Sequence, residues 1–149
     1  MTYISFWLMV LCHIVDDFVF QPICLSKLKQ KSWWKKEFNN NLPFKYQNDY
    51  LMALLVHALS WAIMIHLPLM FLQEPNVKVI SYMIGINCSI HFVVDDLKAN
   101  HGKLNLIQDQ SIHFVQIFVS WIIDCFSSFF DFFQKTLFSK FRCCFHQFR

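Results

Sequence analysis

The sequence predicts an all-α membrane protein, in which four transmembrane helices form a bundle with a polar site near one membrane face. Its 149 residues are 56% hydrophobic and 15% charged, whereas soluble domains carry about 25% charged residues. Four segments have the ~20 mostly apolar residues that one bilayer crossing needs. Only two glycines and four prolines are present, which leaves little turn chemistry for a β-rich fold.

The four apolar segments define the predicted order of elements. We predict spans at residues 3–23, 50–72, 77–94 and 112–133. Pro68 is expected to kink the second span. The first span is not typical of a signal peptide, because it has no basic start, holds charged residues in its core and precedes no small-residue cleavage site.

The segment between spans one and two is basic and amphipathic. The predicted transmembrane domain covers residues 1–137 and includes this loop, 26–49, while a basic tail covers 138–149. The loop holds six lysines and the pair Trp33 and Trp34, which is typical of a segment on the lipid headgroups. The positive-inside rule predicts that loops one and three are cytoplasmic and that both termini lie outside, although the basic tail argues for the opposite orientation.

Ionisable residues of the spans fall at one end of the predicted bundle. In an up-and-down bundle, the ends of spans one and three share a membrane face with the starts of spans two and four. Three His/Asp pairs have the four-residue spacing that puts both members on one helix face. They are His13 with Asp17, His91 with Asp95, and Asp109 with His113. Ionisable groups inside a bilayer cost at least ~2.5 to 3.5 kcal/mol each, which favours a functional site over hydrogen bonds that only hold helices together.

The residue types at this end are those that bind divalent metal ions. Imidazole and carboxylate groups together suit Zn, Mn or Fe, and carboxylates with water also suit Mg. We therefore predict a site for one or two divalent ions of one of these kinds. Its predicted ligands are His13, Asp17, His91, Asp95, Asp109 and His113. Two-metal sites typically serve phosphoester hydrolysis.

Further residues have predicted roles beside the metal ligands. His57 is predicted to be a ligand or a general base, Lys98 to bind an anionic group, and Gln21 to orient water or substrate. Asp16 lies about 100° from its neighbour on a helical wheel and is expected to face another helix or the headgroups. His66 lies toward the opposite membrane face and is predicted to be structural or interfacial.

Four motifs follow one another over roughly residues 4–120. They are H-x3-D-F-x2-Q (His13, Asp17, Phe18, Gln21), the lone His57, H-x3-D-x2-K (His91, Asp95, Lys98) and D-Q-x2-H (Asp109, Gln110, His113). In this combination the chain resembles the domain-of-unknown-function 3307 family, whose members are small multi-span proteins of bacteria and their phages. The resemblance implies no activity. The His/Asp pattern is also loosely similar to the bacterial membrane-bound metal-dependent hydrolases, which implies an enzyme only by analogy.

Span four carries a polar stripe along its whole length. Its members fall within about 80° of one another on a helical wheel. They are Asp109, His113, Gln116, Ser120, Asp124, Ser127 and Asp131. The stripe predicts either hydrogen-bonded packing against neighbouring helices or a water or proton path from the site to the other membrane face.

The leading functional hypothesis is a metal-dependent hydrolase of the bacterial inner membrane, which acts on a phosphoester or lipid headgroup at the cytoplasmic face. One alternative is a small proton- or cation-coupled transporter or channel. Another is a non-catalytic bacterial or phage protein that binds a membrane component. Membrane lipids and an anionic or phosphate-bearing substrate are the expected partners, and homo-oligomer formation is left open. Nucleic acid is not expected, because the net charge is only +3 and the lysines cluster in one loop.

Overall fold

The computed structural model describes residues 2–72 and 76–146, except for the side chains of residues 2, 131–132 and 135–146. All regular structure in this described part is helical. The elements are α1 Thr2–Val15, a π-helical turn Asp16–Phe20, α2 Ile23–Leu28, α3 Lys31–Glu37, a 3₁₀ turn Phe44–Tyr46, α4 Asp49–Leu72, α5 Val77–Ala99 and α6 Leu106–His146.

Four helical segments are long and apolar enough to cross a membrane. They are Tyr3–Phe20, Phe44–Leu72, Val77–Ala99 and Leu106–Phe130. Because α4 packs against α1 and α5, and α6 packs against α1 and α5, the four helices form a bundle. The predicted all-α, four-span fold class is therefore confirmed.

Three helix ends of α5 and α6 differ from the predicted spans, and the first span ends at Phe20 rather than near residue 23. α5 continues to Ala99 rather than ending near residue 94, and α6 begins at Leu106 and runs to His146. Hydropathy detects only the apolar part of a helix. The polar turns at its ends also form backbone hydrogen bonds, so the helix extends beyond the apolar segment. The helix passes through residue 137 without a break, and the predicted boundary between domain and tail stays a prediction.

The interior of the bundle is divided between an apolar half and a polar half. In the apolar half Met9, Trp61, Ile65 and Ile117 are fully buried and pack together. Apolar side chains such as Trp7 point outward, as expected of helices surrounded by hydrocarbon. Thus apolar packing holds the end of the bundle that lies away from the predicted site.

The π-helical turn interrupts α1 at the predicted site. It begins at Asp16, directly after Val15. Turns of this kind are rare and occur frequently at functional sites. Asp16 is buried and its Oδ1 accepts a hydrogen bond of 2.7 Å from the Ser60 hydroxyl of α4. Asp16 was expected to face either another helix or the headgroups, and in the structure it faces α4.

The basic loop folds into two short helices that lie on the end of α5. The Asn100 side chain, directly after α5, accepts from the Lys31 backbone at 2.7 Å and donates to the Lys29 carbonyl at 3.1 Å. Trp34, Phe38 and Tyr46 stack on one another outside this anchor. The loop is consequently attached to the end of the bundle that carries the polar residues.

Candidate metal centre

All the predicted ligands come together at one end of the bundle. α1 supplies His13, the π-helical turn after it supplies Asp17, and α4 supplies His57 from its third turn. α5 and α6 supply the remaining residues from their facing ends. Seven side chains are buried or nearly so. They are His13, Asp17, His57, His91, Asp95, Asp109 and His113.

Two groups of three side chains have the geometry of a metal site. Asp17, His57 and His91 form one, and His91, Asp95 and His113 form the other; within each, one ligand atom per residue lies within 4.8 Å of the other two. First-row metal ions bind N and O ligands at about 2.0–2.2 Å, so two ligands of one ion lie up to about 4.4 Å apart. Buried His and Asp residues of this centre could therefore hold a metal ion after small side-chain movements.

His57 and His91 face each other across the first group. His57 Nε2 lies 3.5 Å from Asp17 Oδ1, and the two imidazole rings are 5.0 Å apart between centroids. The other nitrogen of His57, Nδ1, lies 3.7 Å from Asp16 Oδ2. Asp16 is thus placed to orient the His57 ring, as a second carboxylate commonly does for a ligand or a catalytic histidine.

The second group is more compact. Asp95 Oδ1 lies 3.8 Å from His91 Nε2 and 3.9 Å from His113 Nε2, and the two imidazole rings are stacked 4.1 Å apart. His91 belongs to both groups and is fully buried. One ion could therefore occupy either position, or two ions could share this histidine.

Several ligand atoms at this centre are buried without a hydrogen-bond partner among the described residues. They are Asp17 Oδ1, both ring nitrogens of His91, Asp109 Oδ1 and His113 Nε2. Leaving a buried polar atom unpaired costs about 1–3 kcal/mol. A bound cation would satisfy these lone pairs, so their convergence favours a metal site over a closed hydrogen-bond network.

His13 is held differently from the other histidines. Trp61 Nε1 donates to His13 Nδ1 at 2.7 Å. Because an indole nitrogen only donates, the proton of the His13 ring lies on Nε2, which is 3.0 Å from Gln110 Oε1. Both nitrogens of His13 are thus engaged, and its role as a metal ligand stays a prediction.

Asp109 lies behind His113 in the centre. Its Oδ1 is 3.4 Å from His113 Nε2, and its Oδ2 accepts from Lys98 Nζ at 2.5 Å. Asp109 can therefore bind metal through Oδ1 or orient the His113 ring. Lys98, predicted to bind an anionic group, is paired with this carboxylate, and its predicted role stays a prediction.

Sequence reasoning missed Lys29, which enters the site from the basic loop. Its Nζ donates to Asp95 Oδ2 at 2.6 Å, and its side chain is 8% exposed. In the sequence it is one of six loop lysines, and no local pattern distinguishes it. Trp61 was also missed, because a tryptophan in an apolar span is indistinguishable from core packing until its partner is known.

The centre contains more carboxylates than ammonium groups. The carboxylates are Asp16, Asp17, Asp95 and Asp109, and the ammonium groups are Lys29 and Lys98. With every carboxylate ionised and every histidine neutral, two negative charges are left. Uncompensated buried charge is strongly unfavourable. One divalent cation, bound by neutral histidines, would supply the missing charge.

A cavity of about 290 Å³ opens above the ligand groups. Its lining includes Asp17, His57 and Asp95 on the metal side, and Gln21 on the outer side. The cavity therefore gives a small polar molecule access to the centre. Gln21 lines this cavity, and its role in orienting water or substrate stays a prediction.

A chain of hydrogen bonds leads from the centre toward the middle of the bundle. His113 Nδ1 contacts Gln116 Oε1 at 3.1 Å, Gln116 Nε2 donates to Asn87 Oδ1 at 3.2 Å, and Asn87 Nδ2 donates to Ser120 Oγ at 2.7 Å. Asp124 lies one turn further and is 6% exposed, and its Oδ2 has no hydrogen-bond partner among the described side chains. The predicted stripe of α6 is therefore buried from Asp109 to Asp124, and Asp131 lies outside the described side chains.

Comparison of the chain with family models, with curated proteins and with solved structures gave no match.

Proposed function

We propose that this chain is an integral membrane enzyme that binds a divalent metal ion and hydrolyses a phosphoester, either soluble or in a lipid headgroup. The observation that carries the proposal is the sharing of His91 by two ligand groups beneath a polar cavity. Carboxylates and imidazoles from the four long helical segments meet at one point. Apolar side chains at this point would stabilise the bundle without the cost of burying ionisable groups. A buried metal centre open to a polar cavity is typical of an active site rather than of a purely structural metal site.

The metal ion would supply an activated water or hydroxide and stabilise the charge on the phosphoryl oxygens. The ligand groups Asp17–His57–His91 and His91–Asp95–His113 would hold it. If the ion occupies the second group, His57 is free to accept a proton in the cavity, with Asp16 orienting its Nδ1 side. Asp16 Oδ2 lies 3.7 Å from His57 Nδ1, so a small side-chain movement would bring the carboxylate to hydrogen-bond distance of this base.

The first test is metal-dependent hydrolysis of bis-(p-nitrophenyl) phosphate and of phospholipids by the protein in detergent. We expect activity that a chelator removes and that Zn²⁺ or Mn²⁺ restores. His57→Gln is expected to lower kcat by about 10²- to 10⁴-fold if His57 is the base, while His66→Gln, a buried histidine outside the centre, is expected to leave it unchanged. Activity that is unaffected by the chelator would refute the metal-dependent hydrolase, and unchanged activity of His57→Gln would refute the role of His57 as the base.

A second candidate function is proton- or cation-coupled transport. It is supported by the hydrogen-bond chain from His113 to Ser120 and by the unpaired Asp124 beyond it, since a carboxylate inside a span normally has a functional role. Flux through proteoliposomes that Asp124→Asn abolishes, and that Asp49→Asn at the start of α4 leaves intact, would favour the transporter. Equal flux in empty liposomes would exclude it.

A further inference from the structure

Two lysines from separate segments approach the cavity above the metal ligands. Lys29 comes from the end of α2 and Lys98 from the last turn of α5, and both line the cavity. Gln21, Ser26 and Gln30 line it as well, and so do the carboxylates of Asp17, Asp95 and Asp109. Ammonium, amide and hydroxyl groups are hydrogen-bond donors, so the cavity is suited to an anion when a cation neutralises these carboxylates.

Lys29 differs from its neighbours in the basic loop. Its side chain is only 8% exposed, whereas Lys27, Lys31 and Lys35 are exposed. The bonds from Asn100 to the backbone at Lys29 and Lys31 hold this part of the loop against α5. Burying an ammonium group is unfavourable unless it is paired, so the loop is folded in a way that brings this one charge to the centre.

The two oxygens of Asp95 point to different partners. Oδ1 lies between His91 and His113, in the second ligand group, while Oδ2 accepts from Lys29. A divalent ion on Oδ1 would withdraw negative charge from this carboxylate and add positive charge near the ammonium group. Both effects weaken the bond from Lys29 to Asp95 and increase the attraction of the cavity for an anion.

We infer that Lys29 and Lys98 form a binding site for a phosphate group, which becomes available when a metal ion occupies the ligand groups beneath it. The inference rests on the proposed metal site and deepens it. A cavity of about 290 Å³ is several times the ~30 Å³ that one water occupies in the liquid, so a tetrahedral anion fits. Because linkage is reciprocal, phosphate also tightens metal binding by the same factor.

The phosphate group could belong to a lipid headgroup or to a soluble molecule, since the chemistry of the cavity is the same for both. The protein in detergent with inorganic phosphate tests the soluble source. Nanodiscs of phosphatidylcholine with and without phosphatidic acid test the lipid source. If Mn²⁺ raises the affinity for phosphate in either experiment, the inference is supported and the source of the phosphate group is identified. If Mn²⁺ raises the affinity in neither experiment, the inference is overturned.

The experiment measures phosphate affinity with and without Mn²⁺ by titration calorimetry. For the wild type we expect phosphate to bind about 10-fold or more tightly in the presence of Mn²⁺, a typical size for coupling between sites. Lys29→Met is expected to abolish this difference while the protein still binds Mn²⁺. Lys27→Met, an exposed lysine of the same helix, and the charge-conserving Lys29→Arg are expected to retain it.

The outcomes separate the inference from the proposed function. If the wild type binds Mn²⁺ but phosphate affinity does not change, or if Lys29→Met behaves like Lys27→Met, the phosphate site is refuted and the metal site stands. If the wild type binds no metal ion, the proposed function itself fails. A thermal melt of each variant, with Lys29→Arg as the reference, identifies a variant that has not folded.

Discussion

At the scale of single residues, Trp61 shows how an apolar span can support a polar centre. Its indole donates to His13, His13 contacts Gln110, and Gln110 Nε2 donates to Asp17 Oδ2 at 3.1 Å. Each bond fixes the orientation of the next side chain, and Asp17 belongs to the first ligand group. Trp61 is therefore linked to Asp17 through two intermediate side chains, and its ring also stacks directly on His91, with the centroids 4.3 Å apart.

The matching prediction is that Trp61→Phe weakens metal binding while the bundle remains folded. Phenylalanine preserves aromatic packing but removes the N–H that bonds His13, and loss of an outer partner typically costs 10- to 100-fold in metal affinity. Calorimetric titration with Zn²⁺ or Mn²⁺ measures the effect. The control is Trp7→Phe, since Trp7 is 67% exposed on the outer surface of α1. Equal affinity in both variants would contradict the role given to Trp61.

The six predicted ligands could be derived from the sequence because two local quantities determine their position. The spacing of four residues puts each His/Asp pair on one helix face, and the rise of 1.5 Å per residue gives the depth of each. Lys29 and Trp61 could not be derived in this way. Their partners, Asp95 and His13, are 66 and 48 residues away in the chain, so only the packed bundle brings them together.

At the scale of elements, α5 and α6 are joined by polar side chains below the metal centre. Asn87 donates to Ser120 and accepts from Gln116. Hydrogen bonds between helices inside a membrane contribute about 0.6 kcal/mol on average and at most about 1.7 kcal/mol. The hydrogen bonds between α5 and α6 are therefore expected to make a modest contribution to the stability of the bundle.

We expect Asn87→Ala to lower the free energy of unfolding by about 1–2 kcal/mol, because it removes the two interhelical side-chain bonds of Asn87, with Ser120 and with Gln116. Reversible unfolding in mixed micelles measures the change. Ser89→Ala is the matched control, since the exposed Ser89 hydroxyl bonds only the Gly85 carbonyl of its own helix. A loss no larger than that of the control would show that the α5–α6 chain does not stabilise the bundle.

The Asn100 side chain attaches the basic loop to the end of α5, in addition to the bond from Lys29 to Asp95. Asn100→Ala removes its bonds to the Lys29 carbonyl and the Lys31 amide, so we expect trypsin to cleave the loop several-fold faster while the four spans stay intact. Asn41→Ala, an exposed asparagine of the same loop, is the control. Unchanged cleavage would mean that Lys29 and Asp95 alone hold the loop in place.

Hydropathy was sufficient to locate the four long helices, since burial in hydrocarbon requires a continuous apolar segment. The π-helical turn at Asp16 was not predictable, because no proline or glycine marks it within residues 13–21. A helical wheel assumes a regular rise and rotation, and it therefore left the position of Asp16 open between a neighbouring helix and the headgroups. Its bond to Ser60 depends on the packing of α1 against α4.

At the scale of the whole molecule, the order of the helices places every ligand at one end of the bundle. The up-and-down arrangement was predictable because consecutive spans must cross the membrane in opposite directions. The distribution of basic residues among the loops and the tail indicates which membrane face carries the centre. The lysines of the first loop favour the cytoplasm for the centre, and the basic tail favours the opposite orientation.

Labelling of single cysteines in intact cells tests this orientation, in a variant whose native cysteines are replaced. We expect a cysteine at Lys36, in the basic loop, to be protected from a membrane-impermeant maleimide until the cells are lysed. A cysteine at Asn76, at the start of α5, is expected to react in intact cells. The reverse pattern would place the centre on the outer face and leave its geometry unaffected.

The most direct test of the metal centre is elemental analysis of purified protein beside one variant. His91 belongs to both ligand groups, and its loss should remove either position for the ion. We expect about one divalent ion per chain in the wild type, the number that balances the buried charges, and essentially none in His91→Asn. His66→Asn, also a buried histidine, should retain the ion. A wild type without metal, or a His91→Asn variant that binds as much as the wild type, would contradict the metal centre.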